Sequence, residues 1–166
     1  MSEKKDFEIT RTFNAPLQLV WKVHTEEKHL AQWWGPVGFK MLKCNVDLRV
    51  GGMFHYGMES PDGNKMWGKF VYREIVPITK LVFIVSFSDE NGGITRHPLA
   101  ANWPEEMLNT LTLSEENGKT TLTLRGKPIN ATEEENAMFY NSFEGMNQGF
   151  AGTYKQLEDY LSNIKS

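Results

Sequence analysis

One cysteine in 166 residues, no block of like charge and no long apolar run together remove several classes of protein at the outset. Cys44 alone can form neither an intrachain disulfide nor a cysteine-based metal cluster, and its apolar surroundings predict a packed thiol. Eighteen basic and 21 acidic residues leave a net charge of −3. Without clustered Lys and Arg there is no general grip on nucleic acid, nor a polybasic signal for a membrane surface. No stretch reaches the roughly 18 apolar residues of a membrane span. The charged start, Met-Ser-Glu-Lys-Lys-Asp, lacks the apolar run of a secretory signal. The expectation is a cytoplasmic protein without nucleic-acid or membrane partners, in which the sequon at Asn130 carries no meaning.

What is present is aromatic: ten Phe, five Trp and five Tyr. The length suits one domain, 1–166, able to bury roughly 70% of its unfolded surface. Aromatics at this density serve either a core or the lining of a ligand cavity.

Alternation opens the chain. Phe7, Ile9 and Phe13 share one side of a strand over 6–13, with Arg11 as the exception. Asn14 is placed to cap a first helix with Pro16 in its early turn, and Leu17, Val20, Trp21 and His24 follow at helical spacing. A second short helix covers 26–33 and stops at Gly35-Pro36. Strands are then predicted at 39–48, 53–59, 66–76, 80–88, 107–115 and 119–126. The turns between them are too short for parallel crossovers, so the sheet is antiparallel. The long loop 89–105 suits a lid, and Trp103 within it is expected to fold back over something apolar.

Thr132 with Glu135 predicts a capping box and the start of a long helix. Met138, Phe139, Phe143, Met146, Phe150, Tyr154, Leu157, Leu161 and Ile164 form its apolar stripe. Gly145, Gly149 and Gly152 suggest a bend near 145–152 or a close approach to the sheet. The order predicts an α+β fold: two short helices after the first strand, then a curved antiparallel sheet of about seven strands wrapped round the C-terminal helix.

Residues 14–21 (Asn-Ala-Pro-Leu-Gln-Leu-Val-Trp), 29–36 (His-Leu-Ala-Gln-Trp-Trp-Gly-Pro), 47–52 (Asp-Leu-Arg-Val-Gly-Gly), 68–77, 81–83, 103–107 and 146–157 resemble the activator of heat-shock-protein-90 ATPase homologue-like family. That family belongs to the START-like, or SRPBCC, superfamily, with the helix-grip fold of the birch pollen allergen. The resemblance spans nearly the whole chain and implies a deep cavity between sheet and C-terminal helix. Lipid, hormone and polyketide binders share the superfamily with a few cyclases and a co-chaperone module. The co-chaperone of that name has an additional N-terminal domain, for which this chain leaves no space. Function does not follow from fold alone.

Strand alternation against the helix stripe nominates the lining: Trp34, Phe54, Tyr56, Met58, Phe83, Val85, Phe87, Trp103, Met107, Asn109, Phe139, Phe143, Met146 and Phe150. Which aromatics line a cavity and which fill the core stays open, as it does for Trp33 and Trp67. Polar candidates near the pocket are Tyr56, His55, Glu59, Asn109, Asn141 and Tyr140, a composition usual for ligand sites. His55 and Tyr56 face opposite ways, so Tyr56 is taken as inward and His55 as a surface group. His24 and His29, about 140° apart round a helix, cannot share a metal. His97, beside Arg96, is read as solvated, as are Glu115-Glu116 and Glu133-Glu134-Glu135. No catalytic residues, metal or cofactor are assigned. The expected function is binding of a small hydrophobic molecule. The alternatives are a chaperone partner, or a cyclase- or hydrolase-type enzyme using Tyr56 or a pocket acid. An exposed strand edge beside the N-terminus could support a homodimer.

Overall fold

A computed structural model describes residues 6–95 and 102–165. The chain runs β1 (Phe7–Phe13), α1 (Leu17–Thr25), α2 (Glu27–Trp33), β2 (Lys40–Val46), β3 (Met53–Glu59), β4 (Lys65–Val76), β5 (Lys80–Ser88), β6 (Ile94–Thr95), β7 (Glu106–Glu116), β8 (Lys119–Ile129), α3 (Glu133–Tyr140) and α4 (Phe143–Lys165). One antiparallel sheet has the order β1-β8-β7-β5-β4-β3-β2, with the two-residue β6 paired to β5. This is the expected α+β helix-grip architecture.

Alternation sets the register. On β8, Thr120, Leu122, Leu124 and Gly126 are buried while the residues between them are exposed or half-buried. Their partners Leu111 and Leu113 on β7 are buried with them. Extra residues at Leu42 in β2 and Arg73 in β4 interrupt the pairing, and such bulges sharpen local twist and bend a sheet.

Helix α4 is held at one end. Tyr154, Leu157 and Leu161 are buried in its second half, and each such apolar side chain contributes roughly 1.5–3 kcal/mol. Gln156 donates to the carbonyls of Trp33 and Gly35 at 3.2 and 2.8 Å, and Thr153 donates to Gly35 at 3.1 Å. These bonds satisfy carbonyls at the C-terminal end of α2, which its own ladder leaves unpaired. From Glu144 to Gly152 no α4 residue is fully buried. The first half of the helix is therefore packed less tightly, meeting the sheet through Phe143 and Phe150 against Phe7 of β1.

Several local expectations need correction. The long helix breaks at Asn141-Ser142, not near 145–152, and α4 is unbroken through its glycines. The Ser142 hydroxyl donates to the Met138 carbonyl at 2.6 Å, a competing bond that favours a bend. A Cβ on Gly145 or Gly149 would meet nothing within 4 Å, so neither serves close packing. Pro16, not Asn14, is the N-cap of α1, and the Leu17 N–H donates instead to the Glu115 carboxylate at 2.9 Å. Glu115 is thus more than a solvated charge. Glu135 is buried and completes the predicted capping box with Thr132.

His55 is not on the surface. It is buried on the outer side of β3, stacked on Trp67 at 5.7 Å, with Nε2 3.1 Å from the Asp89 carbonyl. That carbonyl opens a turn whose Asp89 carboxylate accepts from the N–H groups of Asn91 and Gly93 at 2.8 and 2.9 Å. The start of the predicted loop 89–105 is therefore a hydrogen-bonded turn that leads into β6. Arg96 and His97 lie outside the described residues.

A candidate ligand cavity beneath the C-terminal helix

Beneath the first half of α4, the sheet and helix border a partly open hollow of about 250 Å³. Its floor is strand: Tyr56 from β3, Val85 and Phe87 from β5, Met107 and Asn109 from β7, Leu124 and Gly126 from β8. Its roof is Phe139, Met146 and Phe150, with Trp103 closing one side at 5.7 Å from the Phe139 ring. A second compartment of about 110 Å³ lies between the sheet and α1–α2, bordered by His24, Trp33, Trp34, Phe70, Phe83 and Tyr154. The two share Val85, Asn109, Leu124 and Phe150. A more open recess of about 280 Å³ lies outward between Trp34, Met58, Met66 and Gly149, and shares Tyr56, Phe87, Met146 and Phe150 with the first. Taken together the spaces reach the range of ligand pockets, roughly 300–1,000 Å³.

Phe54 and Phe143 are the two nominated residues that border none of these spaces. Phe54 is fully buried between Trp34, Tyr56 and Phe70, with ring centroids at 6.2, 4.8 and 5.1 Å. It is core. Phe143 packs its edge on Phe7 at 5.3 Å and on Phe139 at 5.6 Å, behind the roof. Of the polar candidates, Tyr140 lies against Phe139 and Phe143, and Asn141 is the exposed C-cap of α3. Glu59 ends β3 half-exposed. Tyr56 and Asn109 remain in the hollow.

Both are laid flat by glycines opposite them in the sheet. Tyr56 pairs with Gly68 and Asn109 with Gly126. A Cβ on Gly68 would sit 2.5 Å from the Tyr56 hydroxyl, and one on Gly126 would sit 2.5 Å from the Asn109 carbonyl oxygen. Any larger residue would push these side chains into the space above. Two glycines thus keep volume open while keeping polar groups within it.

The hollow's titratable groups are held neutral. Burial pushes the Tyr56 hydroxyl up to about 12, offset only in part by the neighbouring Trp34 indole N–H. Burial pulls His24 down to about 4, against the opposing bond to the Val20 carbonyl. His24 as a residue is half-buried, and its Nε2 is sealed from solvent. Outside the cavity, Cys44 is half-buried, and burial raises its thiol to about 11, the form expected of a packed cysteine. His24 was overlooked as a lining residue because only the packing of α1 over the inner compartment brings it there.

Among the described residues no group of three or more His, Cys, Asp or Glu could hold a metal ion, and no helix is long and apolar enough to cross a membrane.

Solved structures share the fold. A protein from Nitrosomonas europaea is similar with a TM-score of 0.76 at 25% identity, covering 99% of both chains. A protein from Mycobacterium smegmatis has the same TM-score and identity, covering 95% of this chain and 91% of its own. The AHSA1 protein of Silicibacter pomeroyi, at 17% identity and a TM-score of 0.72, covers 96% and 99% and speaks for the fold alone. Comparison with curated proteins returns no match. The family model described as Activator of Hsp90 ATPase homolog 1-like protein matches residues 14–162, and the chain belongs to that family.

Proposed function

We propose that this protein binds a small hydrophobic molecule in the hollow beneath the first half of α4. The observation that carries the reading is the mismatch between the two halves of that helix. One half is packed and hydrogen-bonded to α2, while the other roofs a space lined by aromatic rings, Met107 and Met146. Methionine adapts to irregular guests, and a mostly apolar wall with a few placed polar groups suits a ligand site. The nominated lining residues other than Phe54 and Phe143 are the contacts proposed for that guest. Acid–base catalysis is disfavoured, because Tyr56 and His24 are both held far from a working pKa.

Native mass spectrometry of freshly purified protein tests the reading. A co-purified mass that disappears on denaturation supports it. A bare chain that also takes up no added apolar probe contradicts it.

The family's description favours a second reading, docking on the heat-shock chaperone to stimulate its ATPase. It predicts faster ATP turnover when the purified chain is added to the chaperone; an unchanged rate removes it.

A further inference from the structure

The outer face of the sheet carries a separate, partly open hollow of about 260 Å³. Its margins are bonded to the sheet. The turn at Val50 and Gly51 is tied to β4 by the Gly51 N–H, which donates to the Tyr72 carbonyl at 2.8 Å, and by the Tyr72 N–H, which donates to the Gly52 carbonyl at 3.0 Å. Ile94 of β6 is a second margin, and the turn before it accepts from Lys69, whose Nζ donates to the Gly92 carbonyl at 2.8 Å.

Strand register lays a row of polar groups across the floor. Val85 and Phe87 of β5 turn into the cavity beneath α4, so the Ser86 side chain between them turns outward. Lys69 of β4 pairs with Ser86. On the other flank Met107 of β7 pairs with Val85, and the same register carried one residue further sets Glu106 level with Ser86. All three border the hollow. Neighbouring strands lie about 4.8 Å apart, so Lys69 and Glu106 start roughly 10 Å from each other with Ser86 between them. An apolar row runs alongside, Val71 paired with Ile84.

These polar groups do not satisfy one another. Lys69 is half-buried and spends one of its three donors on a neutral carbonyl. Among the described residues neither Lys69 nor Glu106 closes an ion pair. Ser86 is 3% exposed, and its hydroxyl has no hydrogen-bond partner among the described residues and is not sealed from solvent. Arg73, the extra residue of the β4 bulge, also borders the hollow, while its neighbour Glu74 is engaged by Lys80 at 2.9 Å.

We propose that the outer hollow binds a free α-amino acid with a branched aliphatic side chain. Its carboxylate meets Lys69 and the Ser86 hydroxyl, its ammonium meets Glu106, and its side chain lies on Val71 and Ile84. A zwitterion answers both charges at once, whereas a simple acid leaves Glu106 unmet and a simple amine leaves Lys69 unmet. The site lies across the sheet from the cavity beneath α4 and does not depend on the reading proposed for that cavity.

Amide chemical-shift titration of the nitrogen-labelled full chain tests this with L-leucine, 4-methylpentanoate, 3-methylbutylamine and glycine. The second lacks leucine's ammonium, the third its carboxylate and the fourth its side chain. The expected result is saturable shifts at Lys69, Ile84 and Ser86 with L-leucine, at an affinity about tenfold above that of each other probe. Glu106→Gln should lower leucine to the level of 4-methylpentanoate, and Lys69→Met should lower it to that of the amine, with the rest of the amide spectrum unchanged. If Lys69→Met does not fold, Glu106→Gln and the order of the probes still decide. Equal binding of leucine and 4-methylpentanoate overturns the proposal. So does leucine binding that Glu106→Gln leaves untouched, or the absence of saturable shifts with leucine.

Discussion

Ile78 sits at φ 61° in the turn between β4 and β5. A β-branched residue there crowds its own backbone, at a cost of roughly 1–2 kcal/mol. Ile78→Asn should therefore stabilise the fold by about 1 kcal/mol, seen as a higher urea midpoint at unchanged slope; a lower midpoint would show that its half-buried side chain matters more. His24 makes a second residue-scale prediction. Its folded pKa is lowered to about 4 from the usual 6.5, so between those values the unfolded chain binds the proton and the native chain does not. Stability contributed by the neutral ring is complete above pH 6.5 and falls as pH drops toward 4, by at most about 3 kcal/mol. Urea unfolding at pH 7 and pH 4.5 should show that loss in the wild type and a smaller one in His24→Phe. Equal losses in both would place the acid sensitivity elsewhere. At Gly126, the Asn109 amide lies where a Cβ would go. Gly126→Ala should tip that amide into the hollow and weaken apolar probes several-fold, measured by titration; unchanged affinity would mean the amide has room to move aside.

At the scale of elements, the strands were legible because alternation and short turns leave one solution: β3 and β5 fall where the spacing put them, and the capping box at Thr132 starts α3. What the sequence concealed depends on distant partners. Glu115 caps α1 from 98 residues away, and His55 is enclosed by a turn 34 residues downstream. No local pattern carries either. The break at Asn141-Ser142 was hidden for a different reason. It lacks Gly and Pro, the usual breakers, whereas Gly145 and Gly149 drew attention while the helix passes through them unbroken. An alanine at Gly145 would meet nothing within 4 Å, so Gly145→Ala should stabilise α4 by up to about 1 kcal/mol. Thermal unfolding checks this, and a lower midpoint would mean that α4 needs its flexibility for packing.

For the whole molecule, the apolar composition announced a large interior but could not say where side chains would stop filling it. Alternation assigns a face without assigning a depth, which is why Phe54 and Phe143 were grouped with residues that border the hollow. Volume is decided by how α4 is anchored. The bonds from Thr153 and Gln156 to the end of α2 fix its far half, and the near half spans the gap. Phe150 touches all three spaces and Val85 the inner two, so a ring added at Val85 would take volume from both of the spaces it borders.

Titration of N-phenyl-1-naphthylamine into the wild type and Val85→Trp, with folding checked by circular dichroism, tests most directly whether the space under α4 receives a guest. The account predicts saturable fluorescence with one probe per wild-type chain and at least a tenfold loss of affinity in a folded variant. Equal binding by both chains would contradict it.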